Sequence, residues 1–101
     1  MGKRVFISQP MNGMTDEEIS EARANAIKEI KTILDEDVYI IDSVIEERPE
    51  TNNDGLWYLG KSLQMMATAD NVYFADGWKN KRGCVIEHQC AQLYGLNIIK
   101  E

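Results

Sequence analysis

A chain of 101 residues, 44% hydrophobic and 28% charged, has the make-up of one small globular domain spanning residues 1–101. Its formal net charge of −6 excludes general affinity for nucleic-acid polymers, so an anionic ligand would have to be held by local donors. No apolar run nears the roughly 18 residues of a membrane helix, and the opening MGKRVFISQP is too short and strand-like for a signal peptide.

Met1-Gly2 would suggest myristoylation, but Phe6 stands where that signal wants Ser or Thr. No membrane partner is expected. Cys84 and Cys90 lie six apart on one predicted helix, a rise of about 9 Å that no disulfide spans. Two cysteines without a further Cys or His pair make no zinc site. Free thiols and a cytoplasmic location are the expectation. A domain this small buries only roughly two-thirds of its unfolded surface, so self-association would add stability.

In chain order, KRVFIS (3–8) reads as a β-strand and QPMNGM as the loop that ends it. Thr15 with Glu18 three residues on forms a capping box, which starts a helix. The apolar stripe Ile19, Ala22, Ala26, Ile30, Ile33 and Leu34 carries that helix for about 20 residues. DVYIID then reads as a strand buried on both faces, ending at Asp42-Ser43. The polar run at 46–55 is a loop. Asp54 is placed to cap a second helix, with Leu56, Leu59, Leu63, Met66 and Ala67 inward and Tyr58 and Met65 opposite. Trp57 flanks that second apolar surface, which suggests a subunit contact. NVYFAD (71–76) is a third strand, Gly77 to Arg82 a loop, Gly83 to Tyr94 a helix and NIIK a last strand. The order β-α-β-α-β-α-β implies a parallel sheet of about four strands in a flavodoxin- or Rossmann-like three-layer α/β fold.

Ligands in such sheets sit beyond the carboxyl ends of the strands, at the switch in strand order. Those ends carry Ser8, Gln9, Pro10 and Met11, then Asp42, then Asp76 and Gly77, and the start of the helix at Gly83. On a helical wheel, Cys84, Ile86, Cys90, Ala91, Leu93 and Tyr94 gather on one side, with His88, Gln89 and Gln92 on the other. Glu87 falls inside the apolar side, between Tyr94 and Ala91. Three carboxylates, Asp42, Asp76 and Glu87, are therefore expected on one rim, with Glu87 facing a ligand pocket. The helix dipole favours its ionised form and partial burial opposes it. A carboxylate so placed can attack an electrophilic sugar carbon, or it can simply pair with Lys81 or Arg82. Asp76 could orient a hydroxyl or act as general acid. Asp70, at the far end of the sheet, suits a turn role. His88 lies about 100° from Glu87 on the wheel, which does not favour a Glu–His pair. Trp78 could stack on a base or close over it, or equally well serve surface packing. No glycine-rich phosphate pattern is present.

The segments ISQPMNG, the AD at 69–70 and RGCVIEHQCAQLYG resemble a small, often phage-encoded branch related to the nucleoside 2-deoxyribosyltransferases. The resemblance runs over nearly the whole chain in element order and is sharpest at Gly83-x-x-x-Glu87. It implies that Glu87 attacks C1′ of a deoxynucleoside, or of its 5′-monophosphate, and releases the base. The sugar then passes to another base or, as in related N-hydrolases, to water. It also implies that Asp76 handles base or sugar, that Ser8 enters the pocket, that neither metal nor other cofactor is needed, and that the protein is a homodimer or higher homo-oligomer. The chain is shorter than a typical transferase and has QPM where an aromatic follows the first strand. Arg82 would suit a 5′-phosphate. A phage-encoded member would work in the host cytoplasm. Two other readings use the same residues: a non-catalytic module that sequesters a nucleotide, and an interaction protein using the Trp57/Met65 surface.

Overall fold

The computed structural model describes residues 3–35, 37–42 and 49–101. Met1-Gly2, Ser43 and the first part of the 46–55 loop lie outside the described residues. The elements are β1 (Lys3–Ser8), α1 (Asp16–Leu34), β2 (Val38–Ile40), α2 (Asp54–Met66), β3 (Asn71–Phe74), a 3-10 turn (Trp78–Asn80), α3 (Arg82–Leu93) and β4 (Asn97–Lys100). All strand pairings are parallel and the order is β2-β1-β3-β4. This is a three-layer α/β fold. Its chain reverses direction across the sheet at the β1–β3 pair, where Ser8 lies opposite Phe74.

Side-chain alternation divides β1 between two cores. Val5 and Ile7 pack with Ala26 and Ile30 of α1, together with Tyr73 and Ala75. Phe6 packs on the other face with Val72, Phe74, Met66 of α2 and Ala91 of α3. Ser8 has the same parity as Phe6. This parity sends the Ser8 hydroxyl toward α2 and α3.

The helix starts follow local chemistry. Thr15 and Glu18 make both bonds of the capping box on α1, and Asp16, Glu17 and Glu18 place negative charge at its positive end. Asn53, rather than Asp54, caps α2 by accepting from the Leu56 amide at 2.9 Å. Asp54 is instead the first helical residue and accepts from Thr51 Oγ1. Lys81 precedes α3 and supplies no side-chain cap, so the first amides of that helix have no side-chain acceptor there.

Several expectations shift. β2 is a three-residue edge strand, and Tyr39 is 53% exposed rather than buried on both faces. Among the described residues β2 pairs with β1 on one side only. On α1, Ile33 turns outward. On α2, Leu56 and Ala67 are exposed, while Met65 packs beside the core. The inward face of α3 is Cys84, Glu87, His88 and Ala91. Leu93 and Tyr94 are each 83% exposed, so Tyr94 does not shelter Glu87. The wheel ranked α3 by hydrophobicity. The tertiary contacts rotate its buried stripe toward the residues that reach the sheet. Among the described residues no helix is long and apolar enough to cross a membrane.

Candidate active site

Beyond the carboxyl ends of β1 and β3, on the α2/α3 side, opens a cavity of about 720 Å³. The turn after β1 gives it Ser8, Gln9, Pro10, Met11 and Asn12. The start of α1 adds Asp16, Ile19, Ser20 and Arg23. α2 adds Gly55, Tyr58, Leu59 and Ser62. The approach to α3 adds Lys81, Arg82, Gly83, Cys84 and Glu87. Four segments remote in sequence thus meet at one end of the sheet.

Glu87 is the charged group buried there, 6% exposed. It sits one turn into α3, in register with Cys84 and Ala91, so the helix aims it at the end of β1. Ser8 Oγ donates to Glu87 Oε1 at 2.6 Å, and Ser62 from α2 supplies a second hydroxyl. Burial pushes the Glu87 carboxyl above the ordinary glutamate range, opposed by these two donors. A desolvated carboxylate held by hydroxyls keeps its charge concentrated on oxygen. Cys84 lines the same wall. Burial raises its thiol, against a hydrogen bond with Ser8, so it is a structural thiol rather than a thiolate nucleophile.

Positive charge collects around this group. Arg23, Lys81 and Arg82 all line the cavity, in a chain whose net charge is −6. Arg23 is oriented by a 3.1 Å bond from its guanidinium to the Ile41 carbonyl. Lys81 Nζ donates to the Asn12 carbonyl at 3.0 Å and ties the two loops together. Arg82 Nη2 lies 3.2 Å from where a Cβ on Gly55 would stand, so the bare α2 backbone makes room for it. A Cβ on Gly83 would meet nothing within 4 Å. Neither packing nor backbone angle demands glycine there, and Gly83 lines the cavity in the first turn of α3. Gln9 Nε2 donates to the Ile19 carbonyl at 2.7 Å, which fixes the amide, and its buried Oε1 has no partner among the described residues.

The chain matches the family model described as "Domain of unknown function (DUF4406)" over residues 3–100. It belongs to that family. No curated protein and no solved structure matches it.

Not every residue expected at the rim of this DUF4406 cavity is there. Asp76 faces a second, smaller cavity of about 200 Å³ on the α1 side of the sheet, with Glu29, Tyr73, Ala75 and Lys100. Its carboxylate is 94% exposed and lies 3.4 Å from Lys100 Nζ. Gln9 and Pro10 are the wall shared by both cavities. Asp42 is exposed at the end of β2 and does not line the Glu87 cavity. The three carboxylates therefore do not converge; Asp16 is the second one beside Glu87 in that lining.

Gly77 takes a left-handed turn (φ 87°) against Pro10 and is a hinge of the loop rather than part of the lining. Trp78 also lies outside it. Its ring stacks on His88 at 4.2 Å and leans on Phe74 at 5.4 Å, so it belongs to the core. His88 completes that cluster and contacts Glu101 at 2.8 Å, away from Glu87. Asp70 has the structural role expected of it, accepting from the Arg4 amide at 2.8 Å. Sequence reasoning missed Ser62, Arg23, Tyr58 and Asp16. The i, i+4 spacing of Tyr58 and Ser62 was the available signal for two of them.

Proposed function

We propose that this DUF4406 chain cleaves the N-glycosidic bond of a (deoxy)nucleoside 5′-monophosphate or nucleoside, as an enzyme akin to the nucleoside 2-deoxyribosyltransferases and deoxynucleotide N-hydrolases. The observation that carries this reading is the buried Glu87 carboxylate, held by Ser8 in a cavity ringed by cations. The resemblance at Gly83-x-x-x-Glu87 supports the same assignment.

In this reaction a Glu87 carboxylate oxygen bonds to C1′ as the C1′–N bond breaks. The bonding pair leaves with the base nitrogen, which takes a proton from solvent. Water or a second base then attacks C1′, and the ester bond breaks to return Glu87 as a carboxylate. Ser8 and Ser62 hold the attacking oxygens in place, and burial strips water from them. Arg82, Lys81 and Arg23 in the lining favour the monophosphate over the nucleoside. The chemistry asks for no metal or cofactor. Exposed Leu93 and Tyr94 on α3 support self-association, and the free thiols of Cys84 and Cys90 fit a reducing cytoplasm.

The separation of Asp76 from Glu87 favours a second reading, a binding module that holds a nucleotide without turnover. Incubation with a panel of deoxynucleosides and their monophosphates, with free base followed by chromatography, separates the two. Base release by the wild type and not by Glu87→Ala is the expected result. Nucleotide binding without base release would leave the sequestering module in its place.

A further inference from the structure

We infer that Tyr58 is the surface on which the nucleobase lies, a specificity-determining residue delivered by α2 rather than by the loop after β3. The inference rests on the nucleotide reading of the Glu87 cavity and adds the part of the ligand that reading leaves unplaced.

The cavity lining divides by chemistry. Arg23, Lys81 and Arg82 suit a phosphate, and Ser8, Ser62 and Glu87 suit the sugar carbon and its neighbours. A base needs a flat, polarisable contact with its π face. Trp78 does not line the cavity; its ring is stacked on His88 (4.2 Å, 21° between planes) and packed on Phe74. Phe6 lines the cavity but is 2% exposed and forms its floor. Tyr58 lines the same space and is 39% exposed, so among the described lining residues it is the aromatic side chain open to a ligand.

Its position fits the reacting atoms. Tyr58 precedes Ser62 by four residues on α2, so the two project from one face about one turn apart. Ser62 and Glu87 line the same cavity. The ring therefore stands about a turn away from the nucleophile, where the base of a nucleotide bound with C1′ at Glu87 would extend. The ring is also held. Trp57 meets it edge-on at 5.1 Å and 85°, and Lys61 Nζ sits 5.7 Å from the Trp57 ring. A fixed platform loses little freedom when a base settles on it. Met11, 47% exposed on the turn after β1, lends a polarisable thioether to the same space.

The test is calorimetric titration of wild type, Tyr58→Ala and Tyr58→Phe. The probes are carbocyclic analogues of the four 2′-deoxynucleoside 5′-monophosphates, which cannot form an oxocarbenium ion, and base-free 2-deoxyribose 5-phosphate. Thermal melts establish that the variants fold. Loss of a stacked base is expected to weaken the analogues about 5- to 150-fold in Tyr58→Ala, more for purines than pyrimidines. Affinity for deoxyribose 5-phosphate stays unchanged, and Tyr58→Phe binds like wild type. Equal weakening of base-bearing and base-free ligands, or no weakening of either, overturns the role of Tyr58 and leaves the nucleotide reading standing. A wild-type chain that binds the sugar phosphate but no analogue more tightly also overturns it. Failure of the wild type to bind any of these ligands removes the nucleotide reading and this inference together.

Discussion

The Ser8 hydroxyl at the end of β1 donates a buried 2.6 Å hydrogen bond to Glu87 on α3, across 79 residues of chain. The bond exists because alternation along β1 turns Ser8 to the α2/α3 face and because α3 places Glu87 one turn in, over the same strand end. Fold and site meet in this one contact. It opposes the burial that raises the carboxyl on which the proposed chemistry depends.

Ser8→Ala should therefore act on both rate and pH profile. A hydrogen bond to a charged group is worth about 1.5–3 kcal/mol, so base release is expected to fall about 10- to 100-fold. The donor works against burial, so its removal lets the Glu87 carboxyl rise further. The acid limb of the rate profile, already above the ordinary glutamate range, moves to still higher pH. A pH–rate series on the wild type and the Ser8 variant reads both effects.

Stability should respond to pH with the opposite sign to a salt-bridged acid. The native carboxyl of Glu87 is raised above its unfolded value of 4.5, so the folded chain binds more protons in the window between the two. Stability contributed by this group thus falls as pH rises through that window and is unaffected below it. Glu87→Gln removes the penalty. Urea titrations should show the variant more stable than wild type at neutral pH, by on the order of 1 kcal/mol. The two should converge as the pH drops below the ordinary glutamate value.

The cation ring predicts a substrate preference. Arg82→Ala should raise KM for a nucleoside 5′-monophosphate about tenfold or more while leaving a nucleoside unaffected, since only the phosphate meets the guanidinium. Steady-state kinetics with matched pairs of substrates measures the difference. An equal effect on both would assign Arg82 to the fold of the loop instead.

Asp76 should be dispensable. It faces the Lys100 cavity, so Asp76→Asn is expected to keep base release within about threefold of wild type. Asp16→Asn, in the Glu87 cavity, is the informative comparison.

Element order, the Thr15 capping box, β1 and the inward turn of Glu87 were all legible in the sequence, because each rests on local spacing or on one repeating period. The failures share a physical cause. Asp76 follows a strand, but its side chain lies beside Lys100 of β4 on the α1 side, a neighbour that no local pattern reveals. The loop position of Trp78 left a ligand role and a packing role equally open, and its ring is stacked on His88, a residue the wheel put on the polar edge. The α3 wheel also misjudged Leu93 and Tyr94, which are exposed at the C-terminal end of the helix. Ser62 and Arg23 join the site only because α1 and α2 fold to the same end of the β1–β3 pair. That convergence belongs to topology rather than to any segment.

The decisive measurement is intact-protein and peptide mass spectrometry of the chain quenched in acid during turnover of a deoxynucleoside 5′-monophosphate. The expected result is a mass increase of one deoxyribose phosphate unit, mapped to the peptide that carries Glu87 and absent from Glu87→Gln. Base release without such an adduct, or an adduct on another residue, would contradict Glu87 as the nucleophile.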